Sequence, residues 1–463
     1  MSTQAISPLE GRYAARLENL RGCISETALA RERVRTEICW FIGLLRQPEI
    51  TGADATSLSD ADLAFLHSLY QDIDDAALQR IGQIERTINH DVKAVEYYIK
   101  ERLAERPALA PCSEWVHFAC TSEDINSTAY ALMLSSTREH CSELLRELLR
   151  ELAERAQAWA GIPALARTHG QSASPTTLGK EIVIFISRLD QQVKVFSDIR
   201  MAAKLSGATG SYAAHLAACP DFDWPALSRT LLNDLGLDQA PITTQIEPHD
   251  GIAELLHSLI RINSVLLDAA RDFWGYIALG WFIQRPAPGE VGSSTMPHKV
   301  NPIDFENAEG NLGIANALAG HLAEKLTVSR WQRDLSDSTA LRNLGAAFAH
   351  SVLAWQSIAK GLGKLEPNAP HLQAELDAHW EVLAEAVQTV MRRAGLPEPY
   401  ERLKDLTRGA EEALSRERLH EFILGLGLPD DARERLLALT PSSYTGHSER
   451  QARQVLQSLK FVV

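Results

Sequence analysis

Long stretches without proline are the feature that most limits the fold of this chain, because a proline inside an α-helix costs about 3 kcal/mol. The chain has no proline between residues 111 and 163, 175 and 220, 248 and 286, or 302 and 367. Clear alternation of apolar and polar residues, which a half-buried strand requires, is scarce. These four stretches therefore predict long helices.

Apolar residues in two of the stretches recur every three or four positions, which places them on one face of a helix. The two series are Leu178, Ile182, Phe185, Leu189, Val193, Phe196, Ile199, and Ile252, Leu255, Leu259, Ile262, Leu266, Ala269, Phe273, Ile277. Each series predicts one long helix. Asp250, just ahead of the second series, is a candidate N-cap.

Additional apolar residues beside these two series widen the faces that the helices would bury, namely Ile184, Ile186, Leu256 and Leu267. A helix that is apolar on more than one side is usually enclosed by several others, and long helices pack best as an elongated bundle. We therefore predict an all-α fold of three helical domains, with breaks near Pro111 and Pro367. The domains are an N-terminal helical domain over 1–111, a central long-helix bundle over 112–365 and a C-terminal helical domain over 366–463.

The charge balance excludes several classes of partner. Lys and Arg number 46 against 60 Asp and Glu, which gives the 463-residue chain a net charge of −14. Such a chain repels nucleic acid and anionic membrane surfaces on average. Residues 1–21 lack the apolar segment of a signal peptide, and no run of about 18 apolar residues suggests a membrane span. Six cysteines without a C-x-x-C pair favour free thiols, so we expect a soluble cytoplasmic protein.

Residues 289–302 interrupt the helical pattern with glycines, serines and two prolines, which is typical of a loop between two long helices. By itself the segment is either a flexible connector or a binding loop. Its hydroxyls, its backbone N–H groups and the ammonium group of Lys299 are suited to an anion.

Residues 292–301, GSSTMPHKVN, resemble the signature loop of the fumarase/aspartase superfamily, whose members eliminate fumarate from succinyl compounds. The histidine before the lysine is similar to adenylosuccinate lyases, whereas fumarases have glycine and argininosuccinate lyases glutamine at that position. Further segments resemble the same subgroup in its bacterial form: ERTINHDVKAVE from 85, FACTSEDIN from 118, RTHGQ from 167 and WQRDL from 331. The resemblance covers most of the chain, from Arg12 to Arg342.

The resemblance implies an elimination in which a base removes a proton beside a carboxylate and an acid protonates the leaving nitrogen. It implies that Ser293 is the base and His169 the acid. A hydroxyl is a weak base, so Ser293 would need support from loop N–H groups and Lys299 once the loop closes. Glu306 either resembles the carboxylate that orients this histidine or is a simple acidic residue at a helix start.

The resemblance also implies a set of substrate-binding residues: Arg12, Tyr13, Asn89, His90, Asp91, Thr121, Ser122, Gln171, Gln245, Ser294, Lys299, Val300, Asn301, Asn307, Arg333, Ser338 and Arg342. Lys299 and Asn301 resemble groups that hold the succinyl carboxylates. A phosphate would be held by Arg12 with Tyr13 and by Arg333, Ser338 and Arg342, since guanidinium groups match phosphate geometry.

Several of these residues also have ordinary structural interpretations. Asn89 is a candidate N-cap for the helix that follows it, and Thr121 with Ser122 for the next one. Gln245 is equally suited to an ordinary loop. Arg333 and Arg342 are nine residues apart, and we expect them to face approximately the same side.

No metal or organic cofactor is expected, because the elimination needs none and the sequence has no H-E-x-x-H, paired-cysteine or P-loop motif. The implied activity is fumarate release from adenylosuccinate, giving AMP, and from succinylaminoimidazole carboxamide ribotide (SAICAR), giving AICAR. The resemblance further implies a homotetramer with shared active sites. Two alternatives stay open: another lyase of the superfamily, such as argininosuccinate lyase with its phosphate-free substrate, and a non-catalytic structural homologue.

Overall fold

A computed structural model describes residues 4–52, 58–286, 289, 296, 298–408 and 414–459. In this part of the chain the α-helices are α1 (Glu18–Cys23), α2 (Glu26–Leu45), α3 (Pro48–Thr51), α4 (Asp60–Gln71), α5 (Asp75–Ile88), α6 (Asp91–Leu103), α7 (Ser122–Ala158), α8 (Leu178–Asp198), α9 (Ala213–Ala218), α10 (Trp224–Asp234), α11 (Asp250–Ala278), α12 (Ile303–Leu326), α13 (Ser336–Leu341), α14 (Leu344–Leu362), α15 (Ala369–Asp377), α16 (Ala384–Arg393), α17 (Pro399–Arg408), α18 (Arg416–Leu424), α19 (Asp430–Ala438) and α20 (Ser448–Ser458). The all-α prediction is confirmed.

The long helices lie where the proline-free stretches predict them. Helix α7 has 37 residues, which corresponds to a length of about 55 Å. Helices α8 and α11 cover the two apolar series, whose side chains are mostly buried. Asp250, the predicted N-cap, is instead the first residue of α11, one position after the N-cap position. The expected widening of the buried face is wrong at Ile184, whose side chain is 43% exposed in the single chain.

The stretch from 302 to 367 forms three helices, α12, α13 and α14, although it contains no proline. The interruption between α12 and α13 has a local cause. The carboxylate of Asp334 accepts hydrogen bonds from the backbone N–H groups of Arg330 and Ser336. Such side-chain bonds satisfy the backbone outside a helix and so compete with helix formation.

The strands in the described residues are very short and form two-stranded sheets. They are β1 (Pro163–Ala164), β2 (Arg167–Thr168), β3 (Gln171–Ser172), β4 (Thr176–Thr177), β5 (Ala202–Ala203), β6 (Asp238–Gln239), β7 (Phe282–Gln284) and β8 (Leu365–Pro367). Antiparallel pairs join β1 to β4, β2 to β3 and β7 to β8, and β5 pairs with β6 in parallel. The strands fix loop geometry between helices and build no sheet core.

Contacts between Cα atoms divide the chain into two compact units. The first unit comprises Met1–Leu144, Val193–Asn263 and Asn311–Leu353, and the second comprises Leu145–Gln192, Ser264–Gly310 and Ala354–Val463. One apolar core of the first unit lies between residues 34 and 116, where α2, α4, α5 and α6 supply most of its side chains. One core of the second unit lies between residues 383 and 436. The division into three domains stays a prediction.

None of the described helices has both the length and the apolar character needed to cross a lipid bilayer.

Candidate active site

Three predicted site residues, Asn89, His90 and Asp91, form the joint between α5 and α6 in the first unit. Asn89 ends α5 with a left-handed backbone (φ 53°), so its predicted role as the cap of α6 is wrong. His90 is the N-cap of α6, and its Nδ1 accepts the backbone N–H of Lys93 at 3.2 Å. Because Nδ1 accepts, a neutral His90 carries its proton on Nε2, which can donate to a ligand.

Asp91 connects two arginines of the first unit. Its Oδ2 lies 2.7 Å from Nη2 of Arg33 and 3.3 Å from Nη2 of Arg342. Its Oδ1 accepts the backbone N–H of Val92 at 2.8 Å. Burial acts to raise the pKa of Asp91, but the arginines and this hydrogen bond outweigh burial and lower it. Asp91 therefore stays ionised and holds Arg342 at the start of α6.

Arg342, at the end of α13, also pairs with Glu26 at 2.9 Å. Its side chain borders a cavity of about 480 Å³ that Leu9, Glu26 and Tyr130 help to line. This volume lies within the usual range for small-molecule pockets. An anionic ligand in the cavity would compete with Glu26 for the Arg342 guanidinium.

Arg333 is held at a different place in the first unit. One terminal nitrogen lies 3.0 Å from Oε1 of Glu123, and the other donates to Oε1 of Gln245 at 3.4 Å. The structure thus brings Arg333 together with Gln245. The prediction that Arg333 and Arg342 face the same side is wrong. Nine residues of a continuous helix, about two and a half turns, would end on the opposite face. In the structure α13 begins only at Ser336, and the two guanidinium groups contact different partners.

Thr121 and Ser122 stand at the start of α7, as their helix-capping interpretation predicts. The carboxylate of Asp124 accepts the backbone N–H of Thr121 at 2.7 Å, which is half of a capping box. Asp124 also accepts from Nζ of Lys204 at 2.6 Å, and both side chains are fully buried. This ion pair fixes the helix start that carries Thr121 and Ser122.

The segment after Lys204 also contacts Gln245, another predicted binding residue. The backbone N–H groups of Ser206 and Gly207 donate to Asp124, and the carbonyl of Ala208 accepts from Nε2 of Gln245 at 3.0 Å. Sequence reasoning missed Lys204 and Asp124. The available signal was a single lysine in the otherwise apolar run from Met201 to Leu205.

The remaining candidates of the first unit lie near helix ends. The guanidinium carbon of Arg12 lies 6.0 Å from the ring centre of Tyr13, and both residues precede α1. Ser338 lies on α13, where its backbone N–H donates to Asp337 at 2.7 Å.

In the second unit, His169 lies at the tip of the hairpin between β2 and β3. Thr168 pairs with Gln171, so His169 and Gly170 form a two-residue turn. Both have positive φ, 53° and 74°, as a type I′ turn requires. The side chains of His169 and Gln171 are exposed. At the base of the hairpin, Arg167 forms an ion pair with Glu375 and donates to the carbonyl of Leu165.

Glu306 lies in the first turn of α12, as its helix-start interpretation predicts. Its Oε1 accepts from Nε1 of Trp274 at 3.2 Å. Next to it, Oδ1 of Asn307 accepts the hydroxyl of Ser357 at 2.8 Å. Sequence reasoning assigned no role to Trp274, which is 46% exposed beside this carboxylate. No hydrogen bond or ion pair joins Glu306 to His169 among the residues that the structure describes.

The structure describes only part of the predicted loop over residues 289–302. Ser293 and Ser294, the predicted base and its neighbour, lie outside the described residues. The backbone N–H of Lys299 donates to the carbonyl of Met296 at 3.0 Å, and its side chain is exposed. The carbonyl of Val300 accepts from Nε2 of Gln284 at 2.9 Å, and Asn301 follows two residues ahead of α12.

Within the described ranges, no group of three or more His, Cys, Asp or Glu side chains is arranged to hold a metal ion. The chemistry that these side chains offer is proton transfer and anion binding. Arg33, Arg333 and Arg342 of the first unit supply fixed cations, and the second unit carries the predicted catalytic residues His169 and Glu306.

The chain is similar to known lyases over nearly its whole length. A family profile described as Lyase matches residues 11–316, and a second, described as Adenylosuccinate lyase C-terminal, matches residues 329–445. The chain is 50% identical over 446 residues to the adenylosuccinate lyase of Vibrio cholerae, covering 96% of this chain and 97% of the relative. It is 49% identical over 448 residues to the adenylosuccinate lyase of Escherichia coli K12, with the same coverage.

Two solved structures share the fold at lower sequence identity. A 3-carboxy-cis,cis-muconate lactonizing enzyme from Pseudomonas putida matches with a TM-score of 0.75 and 22% identity, over 96% of this chain and 97% of that one. A fumarate lyase from Mesorhizobium matches with a TM-score of 0.76 and 18% identity, over 95% and 98%. At these identities the two structures support the fold alone.

Proposed function

The chain belongs to the adenylosuccinate lyase family, within the fumarase/aspartase superfamily, and on that premise we propose that it cleaves adenylosuccinate to AMP and fumarate. SAICAR, cleaved to AICAR and fumarate, is its second substrate, which places the enzyme in purine nucleotide biosynthesis. The observation that carries this proposal is the identity of about half of all residues over nearly the whole length of the curated relatives.

The reacting groups in this proposal are Ser293 and His169. Ser293 removes the proton from the carbon beside a succinyl carboxylate, and the developing negative charge spreads onto that carboxylate. His169 gives its proton to the nitrogen as the carbon–nitrogen bond breaks, so fumarate and the amine product leave. Glu306 orients and stabilises the imidazolium form of histidine, and Lys299 with Asn301 holds the carboxylates.

The nucleotide half of the substrate belongs, in this proposal, to the first unit. Arg12, Tyr13, Arg333, Ser338 and Arg342 hold the phosphate. The fixed guanidinium groups of Arg333 and Arg342, paired with Glu123 and Asp91, support this assignment, since a preset arginine loses little freedom on binding phosphate. Asn89, His90, Asp91, Thr121, Ser122, Gln171, Gln245, Ser294, Val300 and Asn307 complete the contacts.

The active unit in this proposal is a homotetramer in which neighbouring copies complete each site. Large apolar side chains are exposed on long helices of the single chain, including Ile184 (43%), Trp274 (46%) and Ile314 (48%). Such side chains favour burial against another protein surface. The exposed hairpin tip of His169 supports the same arrangement. The free cysteines support a reducing, cytoplasmic location.

An ultraviolet assay tests the proposed reaction. The purified wild-type chain should change the spectrum of adenylosuccinate as AMP forms and leave argininosuccinate unchanged, because only the former has a phosphate for Arg333 and Arg342. The Ser293→Ala variant should bind adenylosuccinate but lose turnover, since the hydroxyl acts mainly in the transition state. Consumption of argininosuccinate alone would contradict the proposal, and normal turnover by the variant would place the base elsewhere.

A further inference from the structure

The loop ahead of α11 carries a buried histidine that the proposed chemistry does not use. His249 is 2% exposed and has a left-handed backbone (φ 64°). Its Nδ1 lies 3.4 Å from Oε2 of Glu247, and its Nε2 lies 3.9 Å from Oδ2 of Asp337. Both carboxylates are buried. This backbone is uncommon for a residue other than glycine, so the surroundings must hold it there.

His249 belongs to a set of buried charges in the first unit. The titratable groups around it are Glu247 on its own loop, Glu123 and Tyr130 on α7, and Asp337 on α13. Arg333 pairs with Glu123 and also acts on Asp337. Arg333 thus offsets two of the three carboxylates of this set, Glu123 and Asp337, and a protonated His249 supplies a second cation beside Glu247 and Asp337. A neutral histidine would leave a larger uncompensated buried charge.

Each carboxylate of this set adjoins a residue already assigned to the substrate. Glu123 follows Ser122 directly, and Glu247 comes two positions after Gln245. Asp337 precedes Ser338 and accepts its backbone N–H at 2.7 Å. A change in the charge of the set would therefore move three binding segments together.

We propose that His249, as an imidazolium between Glu247 and Asp337, is a positioning residue that fixes the Gln245 loop and α13 for substrate binding. This role rests on the proposed function and adds a residue that contacts no substrate. The imidazolium aligns two segments that lie far apart in the sequence, and Arg333 joins the same network through Glu123 and Gln245.

The charge of His249 is stable at neutral pH. Burial lowers the pKa of a histidine, but here the two carboxylates outweigh it and raise the pKa to about 9. A group with a raised pKa keeps its charged form below that value and loses it as the pH rises through about 9. Alignment of the binding segments should be lost over the same interval.

The test compares wild-type enzyme with His249→Asn. Asparagine tolerates a positive φ, so this variant removes the charge without adding backbone strain. Calorimetry with AMP and steady-state kinetics with adenylosuccinate should show Kd and KM raised about tenfold, with kcat changed less than about threefold. The wild-type affinity for AMP should fall as the pH passes about 9, and the variant should lack that step. His257→Asn, at an exposed position on α11, is the matched control.

A double variant distinguishes the effect of the lost charge from a general loss of structure. His249→Asn combined with Asp337→Asn restores the net charge of the set and keeps an acceptor for the Ser338 N–H. Its two carboxamides can also hydrogen-bond to each other in place of the imidazolium–carboxylate pair. We expect this double variant to recover most of the lost AMP affinity. A folded double variant that retains the tenfold loss overturns the inference, as does a wild-type affinity that stays constant through pH 9. The pH profile and the double variant decide the question if the single variant fails to fold.

The two proposals fail in distinguishable ways. Wild-type enzyme that neither binds AMP nor consumes adenylosuccinate overturns the proposed function. Wild-type enzyme that does both, beside a His249→Asn variant of equal affinity, overturns the positioning role alone.

Discussion

The candidate binding residues of the first unit are held by contacts within their own chain, whereas the candidate acid–base residues of the second unit are exposed. Arg333 and Arg342 each contact carboxylates of their own chain, and Asp124 with Lys204 forms a fully buried ion pair beneath Thr121. His169 lies on an exposed hairpin tip, and Glu306 is exposed at the start of a helix. The folding of one chain thus fixes the candidate binding residues and leaves the candidate acid–base residues exposed.

This difference separates stability from activity. A substitution in the first-unit network breaks buried charge pairs, so it should reduce both folding stability and nucleotide binding. A substitution at the hairpin tip removes few intramolecular contacts, so it should reduce turnover alone. The following experiments test this separation, beginning with the largest expected effect.

The clearest test of the exposed acid–base residues is His169→Asn. Loss of a general acid should lower kcat by about 10²–10⁴-fold, because asparagine cannot supply a proton. Asparagine suits a positive φ, so the free energy of unfolding should change by less than about 0.5 kcal/mol. Turnover of adenylosuccinate and urea denaturation measure the two quantities. His321→Asn, exposed on α12, is the control. A variant with near-normal kcat would show that the acid lies elsewhere.

The variant Lys204→Met tests the buried ion pair of the first unit. Methionine fills a similar volume but leaves Asp124 without its charge partner, so the free energy of unfolding should fall by about 3–5 kcal/mol. The affinity for AMP should fall as well, because Thr121 depends on Asp124. Adding Asp124→Asn should restore part of the stability, as measured by chemical denaturation. A loss below about 1 kcal/mol would contradict the scaffold role of this pair.

We also expect a group of the first unit, His215, to reduce the folding stability at acid pH. His215 is fully buried among Trp40, Tyr212 and Trp224, and burial lowers its pKa to about 4. Above about pH 7.5, one unit above the ordinary pKa of histidine, neither the folded nor the unfolded form is appreciably protonated, so this histidine has no effect. As the pH falls toward 4, the unfolded chain gains a proton that the folded chain resists, and stability should decrease by about 3 kcal/mol.

Thermal denaturation as a function of pH measures this loss, with His215→Phe as the variant that cannot titrate. The variant should lose less stability between neutral pH and pH 4 than the wild type. Equal pH slopes for the two proteins would assign the acid sensitivity to other groups.

The smallest expected effect is that of Trp274→Phe. Phenylalanine keeps the aromatic contact but removes the N–H that Glu306 accepts. A single hydrogen bond of this kind contributes about 1 kcal/mol, so kcat/KM should fall about fivefold with little change in stability. Steady-state kinetics check this value. An unchanged kcat/KM would show that Trp274 does not position Glu306.

Features with a repeating local pattern could be predicted from the sequence. The apolar spacing located α8 and α11 to within a few residues, because a buried helical face repeats along the chain. The motif around Gly292 and the segment at His169 identified the family. The cap at the α5–α6 joint was assigned to the wrong residue, since Asn89 and His90 are neighbours and either could end one helix or begin the next.

Contacts between distant residues left no comparable pattern. Lys204 and Asp124 are 80 positions apart, and Trp274 and Glu306 are 32 apart. No local repeat links such residues, so their pairing follows only from the packing of the helices. The same applies to the break between α12 and α13, which depends on side-chain bonds of Asp334 to the backbone.

The type I′ turn at the hairpin tip has a consequence for engineering this enzyme. Asparagine and glycine are the residues that such a turn prefers, and the first of its two positions holds His169 instead. A library randomised at position 169 and selected for thermal resistance should therefore enrich asparagine or glycine and yield inactive enzymes. Selection for turnover should return histidine at some cost in melting temperature, the usual trade-off between robustness and activity.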